Sequence, residues 1–158
     1  MYTFTVSIAR GRGIPTPQML QSRNTAVCII APSIKKPLRT PVDEHSLFPI
    51  WNSRLTFGVD PDEVILFEVV DFKSFGPPLL LATLKIKASD LAKLSNKQKW
   101  YLFENKTSSP LKVEVKMGVR VLSSPQNKDQ KENSTGKLLV EGNPMDSPLF
   151  PPPNEEDS

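Results

Sequence analysis

The chain holds one histidine, His45, and one cysteine, Cys28. Nucleophilic catalysis needs an attacking group with a base in hydrogen-bond reach, and two such residues leave hardly any way to build the pair. Cys28 lies in the apolar run 26–31, where a thiol is expected to behave as a small inert core hydrophobe. His45 follows Asp43 and Glu44 in a polar stretch, where a solvated imidazole is expected rather than a general base. Asp60, Asp62 and Glu63 gather round Pro61; fixed proline φ and Asp bonds to nearby backbone make this an ordinary turn. No zinc-type spacing, phosphate-cradling glycine loop or Ser-His-Asp arrangement occurs. The expectation is a chain that is not an enzyme, with no cofactor and no small-molecule substrate.

Cations are the more abundant resource. Residues 1–122 carry 17 Lys/Arg and 10 Asp/Glu, a net +7, whereas residues 123–158 carry 3 and 7, a net −4. A body of that charge either meets an anionic partner or is simply a solvated basic surface. Nucleic acid is not the expected partner, because dense Arg/Lys stripes interleaved with exposed aromatics are absent.

The elements that must carry these groups are strands. Sixteen prolines against seven glycines leave little room for long helices. Tyr2, Phe4, Val6 and Ile8 alternate with small polar residues as a half-buried strand does, and 10–17, with two glycines and two prolines, is expected to end it. Further strands are expected at 26–31, at 38–42 and around Leu55 and Phe57. Others follow at 64–70, 80–86, 99–103 and 111–117. The polar stretch 43–46 reads as a turn, and Ser89 to Leu94 as a helical turn capped by Ser89 or Asp90. Eight short strands with one apolar face each imply an all-β, eight-stranded antiparallel sandwich.

From Ser123 onward aromatic and β-branched residues nearly vanish. Such a composition cannot bury enough apolar surface to offset its conformational entropy, so the domain is expected to span 1–122 and a disordered acidic tail 123–158. Within that tail Pro148-Leu149-Phe150-Pro151-Pro152-Pro153 reads either as an extended peptide ligand or as low complexity without function. No apolar run reaches the roughly 18 residues of a membrane span. The lone cysteine and an opening without a signal-type apolar segment suggest a cytoplasmic setting, with membrane contact at the surface only.

Four stretches resemble the C2 domain family across nearly all of 2–122. Tyr2 to Pro15 is similar to its first strand and following corner. Phe48-Pro49-Ile50-Trp51-Asn52 resembles its Asn-Pro-x-Trp-Asn corner, with Phe48 in place of the usual Asn. Leu66 to Asp71 resembles the strand that delivers a calcium-binding Asp, and Lys99-Trp100-Tyr101-Leu102 the Trp-Tyr-x-Leu strand before the last hairpin. The order of elements is similar to the type II circular permutation. Trp51 is then expected to plug the core at its corner.

The resemblance makes calcium the decisive question. A hard cation takes 6 to 8 oxygen ligands, several of them carboxylates. The first loop, 15–25, has no acid, and the second, 71–80, has only Asp71, with Lys73 near where the family places another Asp. Calcium independence is the implied mechanism, and no metal is expected. Met19, Leu20 and Arg23 in one loop, with Phe72, Lys73 and Phe75 in the other, are suited to the headgroup boundary of a bilayer. Alternatively, the two phenylalanines fold back to cap the sandwich. Lys35, Lys36 and Arg39 with Lys85 and Lys87 resemble the basic concave face by which some C2 domains bind phosphoinositide headgroups. The function implied is peripheral docking on anionic phospholipid; the alternative is a protein-interaction adaptor that binds no lipid.

Overall fold

Alternating side chains dictate where the chain pairs. The computed structural model describes residues 1–16, 22–73 and 76–125. Its strands are β1 (Tyr2–Arg12), β2 (Arg23–Ile30), β3 (Leu38–Arg39), β4 (Asp43–Ser46), β5 (Ile50–Val59), β6 (Val64–Asp71), β7 (Leu79–Lys87), β8 (Lys97–Asn105) and β9 (Val113–Ser123). One short helix, α1 (Ala88–Ala92), separates β7 from β8.

Antiparallel pairing orders one sheet β8-β9-β1-β5 and the other β3-β2-β6-β7, with β4 also on β2. The Ala82↔Asn105 and Thr83↔Glu104 pairs join β7 to β8, so the two sheets are continuous at that corner. Phe4, Val6 and Ile8 of β1 face inward with Val113, Val115, Met117 and Val119 of β9, against Val27, Ile29, Ile65, Phe67 and Val69. Each such side chain contributes roughly 1.5–3 kcal/mol by leaving water. This is the all-β antiparallel sandwich implied by the alternation. Trp51 fills the core as expected, and its Nε1–H donates to the Thr25 carbonyl at 2.9 Å.

Several local expectations are corrected. The stretch 10–17 does not end β1 at its start: the strand runs to Arg12 through a bulge between Ile8 and Arg10. Gly11 is a close-approach residue there, since a Cβ would lie 2.8 Å from the Trp51 ring, and the turn begins only at Gly13 with φ +73°. Residues 43–46 are strand, not turn, pairing Arg23↔Ser46 and Thr25↔Asp43. Together β3 and β4 form one interrupted edge strand. Pro41 lacks an N–H to continue the ladder, and Thr40 bridges the gap, its N–H donating to the Val27 carbonyl and its Oγ1 accepting the Val27 N–H, both at 3.0 Å. Nine segments thus occupy eight strand positions.

The helical turn starts at Ala88, with Lys87 rather than Ser89 or Asp90 at the cap. The Ala88 and Ser89 N–H groups donate instead to the Glu63 and Pro61 carbonyls at 2.8 and 3.2 Å, so the neighbouring turn does the capping. Cys28 is also misplaced by the sequence reading. It is half-buried and outside the core, because its pairing with Glu68 and Arg39 sets it on the outer face of the second sheet.

Candidate docking surface

Directly paired residues of an antiparallel sheet share a face, so register alone decides which cations meet. On the outer face of the second sheet one row reads Arg39, Cys28, Glu68, Thr83. The next reads Ile30, Leu66, Lys85, and the last pairs Val64 with Lys87. Arg39, Lys85 and Lys87 therefore look out from one face, all exposed, with Glu68 the carboxylate between them. Lys35 and Lys36 are exposed in the turn that links β2 to β3, at the Lys87 end of the same face. That turn is tied down: the Ser33 N–H donates to Glu63 Oε1 at 2.9 Å, and the Ser33 hydroxyl donates to Glu63 Oε2.

Burial pushes the Cys28 thiol above its ordinary range; the Glu68 charge adds to this and Arg39 opposes it. The thiol on this face stays protonated near neutrality. It offers no thiolate nucleophile there.

At the opposite end of the sandwich the two sequence-identified loops leave β1 and β6. Arg23 is not an outward lipid-facing cation in this structure. Its side chain is nearly buried, Nη1 donates to Asp71 Oδ2 at 2.9 Å, and Nε donates to the Pro15 carbonyl at 2.6 Å. The other Asp71 oxygen accepts the Asn24 N–H at 3.0 Å. Both carboxylate oxygens are thus engaged, one of them by an internal cation. Among the described residues no group of three His, Cys, Asp or Glu could hold a metal ion. This donor set does not fit calcium, which needs several carboxylates converging.

Phe72 is half-buried, its N–H donating to the Asn24 carbonyl at 2.8 Å, and the Arg39 guanidinium lies 5.3 Å from its ring centroid. The second loop and the basic face thereby meet in one cation–π contact. Lys73 is exposed, whereas Met19, Leu20 and Phe75 lie outside the described residues. An open groove of about 770 Å³ beside Arg23 is lined also by Thr16, Lys106 and Thr107. Its two cations are both paired, Lys106 Nζ lying 3.3 Å from Glu104.

The other outer face holds a cluster that the sequence reading missed. Arg12 stacks on Trp100 at 3.8 Å, with Arg10 and Lys116 at 6.0 and 5.8 Å from the same ring. For the ring the signal was present in the alternation: Tyr101 and Phe103 turn inward, so Trp100 and Leu102 turn outward. For the arginines it was not, since Arg10 and Arg12 share the parity of Phe4, Val6 and Ile8 and only the bulge between Ile8 and Arg10 turns them outward.

Comparison with known proteins agrees with this fold. The A-type C2 domain of a plant extended synaptotagmin 1 superposes with TM-score 0.60 at 21% identity, over 78% of this chain and 97% of that one. The pair of C2 domains, A and B, of extended synaptotagmin 2, calcium bound, gives 0.65 at 14%, over 86% and 52%. Human GIVD cytosolic phospholipase A2 gives 0.59 at 15%, over 77% of this chain and 18% of that one. At these identities the likeness is one of fold. No curated protein matches the sequence. The C2 domain profile, however, matches residues 2–103, well over half of the chain, and this protein belongs to the C2 domain family.

Proposed function

We propose that this protein docks on anionic phospholipid surfaces without calcium, as a peripheral module and not as an enzyme. The observation that carries the reading is the convergence of Arg39, Lys85 and Lys87 on one exposed face, with Lys35 and Lys36 at its end. Each cation near an anionic surface contributes about 1 kcal/mol, and several together give useful attraction that salt weakens. The Arg23–Asp71 pair supports the calcium-independent part, because it fills the carboxylate that an ion would need. Among the described residues no helix is long and apolar enough to cross a membrane. Relatives in fold include synaptotagmin-type C2 domains, which is consistent with such a role.

The test is sedimentation with vesicles of phosphatidylcholine alone or mixed with phosphatidylserine, with calcium or with chelator. Retention is expected on the anionic vesicles only, equal with and without calcium. Neutralising Lys85→Gln and Lys87→Gln together removes about 2 kcal/mol and weakens binding about 30-fold. No retention at moderate salt would remove the lipid reading and leave the protein-adaptor role.

A further inference from the structure

A sheet edge presents backbone donors and acceptors that another strand can pair. Among the described residues the strand order leaves two such edges, and only one is blunted. The β3–β4 edge is two pieces of two and four residues, broken at Pro41 and carrying Asp43 and Glu44. The β5 edge is one strand of ten residues with no proline and one charge, Arg54, and among the described residues β1 is its one neighbour. Asp43 takes the Ile50 N–H at 3.1 Å and Asn52 has φ +40°, so the stretch left for regular pairing is 53–59. Along it Phe57 and Val59 are buried, whereas Leu55, of the same parity, is half-buried at the uncovered side of the core. Arg54 and Thr56 stand exposed on the outer face, and no ion pair among the described residues includes Arg54.

The chain supplies a segment that fits this edge. Beyond Ser123 the one run of three consecutive apolar residues is Leu138-Leu139-Val140, between Lys137 and Glu141, with Gly136 and Gly142 outside and Pro144 beyond. We propose that residues 137–141 pair in cis with β5 as an added antiparallel strand, Glu141 opposite Arg54. The same register sets Val140 opposite Leu55 and Leu138 opposite Phe57, so both turn inward over the half-buried leucine, while Leu139 faces out beside Thr56. A slip of one residue would turn Leu138 and Val140 to solvent and take Glu141 off the outer face. The direction follows from the sheet. Ser123 and Gly58 both lie opposite Thr3, so the chain leaves β9 in the row that holds the C-terminal end of β5, and a segment returning along β5 runs antiparallel to it. The place beyond β5 is three strand spacings from β9, about 14 Å, whereas residues 124–136 can span about 43 Å. Covalent linkage sets an effective concentration that an unlinked peptide would have to match in solution, so a short strand suffices. The edge belongs to the first sheet and the lipid-docking cations to the outer face of the second, so this pairing goes beyond the lipid reading and does not rest on it.

The experiment is amide hydrogen exchange, read by nuclear magnetic resonance on the full chain without lipid. The disrupting variant is Leu138→Pro with Leu139→Pro, because one of two successive N–H groups in a strand must face β5 and a proline there removes its bond. Amides of 53–59 that point away from β1 are expected to exchange about tenfold more slowly in the native chain than in this variant, given three cross-strand pairs. Glu141→Lys should lose most of that slowing, and adding Arg54→Glu in the same chain should restore it. Val115 in β9 and Phe67 in β6 keep their rates in every variant and report an intact fold. Equal β5 rates in the native chain and the double proline variant overturn the proposal, as does failure of Arg54→Glu to restore the slowing in Glu141→Lys. Slowing that persists in the double proline variant and grows with protein concentration assigns the edge to a second copy and overturns pairing in cis.

Discussion

Two carboxylates at opposite ends of the sandwich meet opposite environments. Asp71, at the end of β6, is nearly buried and has an arginine of its own chain beside it. Glu63, at the start of the same hairpin, lies at the surface and collects neutral donors: the Asp60 N–H at 2.8 Å, the Ser33 N–H and the Ser33 hydroxyl. The difference is one of solvent. A charge withdrawn from water needs a counter-charge, because the desolvation penalty runs to several kcal/mol, whereas a charge left near water is adequately served by a few hydrogen bonds. One end is therefore locked by an ion pair and the other is clipped by a turn.

Breaking the lock should have the largest effect. Arg23→Ala leaves Asp71 buried without a partner, and truncating one member of a buried pair costs about 3–5 kcal/mol. Denaturant titration should show that loss for Arg23→Ala and for Asp71→Ala separately. Replacing both at once, Arg23→Met with Asp71→Leu, should recover most of it, because no charge is then stranded. Single variants costing under about 1 kcal/mol would mean that water reaches the pair and that the two ends do not differ.

The clip should respond to acid instead. Burial tends to raise the Glu63 carboxyl, but the Ser33 hydroxyl and the Asp60 and Ser33 N–H groups together hold it below the ordinary carboxylate value. A group whose value is lower when folded stabilises the fold above its unfolded value, and that contribution is lost as pH falls through the folded one. Melting temperature should therefore drop on the acid side of about pH 4.5, and Glu63→Gln should flatten that limb. Near neutrality the substitution should cost under about 1 kcal/mol, given the exposure of the group. An equal acid slope in the variant would assign the titration to other carboxylates.

This contrast also marks how far the sequence could be read. Strand identity followed from period two, since Phe4, Val6 and Ile8 or Val113, Val115 and Met117 can face a core in only one way. The break at Pro41 and the continuation past Gly11 were not legible, because both depend on what lies opposite: Thr40 closing on Val27, and the Trp51 ring against Gly11. At the site, the scarcity of acids beside Asp71 was visible in the chain. That Arg23 turns inward to Asp71, 48 positions away, was not, since sequence distance says nothing of the register that brings Thr25 opposite Asp71. The shared face of Arg39, Lys85 and Lys87 likewise emerged only once β2 was seen between β3 and β6.

The smallest expected effect is that of calcium. A ligand that binds the folded state alone stabilises it by about 2.7 kcal/mol at a hundred times its dissociation constant, so even modest affinity moves a melting curve. Millimolar calcium should leave the melting temperature of the native chain where chelator leaves it. The informative partner is Arg23→Gln, which removes the guanidinium but adds no acid. If the lack of carboxylates is what bars the ion, this variant too should melt at one temperature with and without calcium. A calcium-dependent rise confined to Arg23→Gln would show instead that the internal cation alone was excluding the ion, and that the loop end is a calcium site held shut by its own arginine.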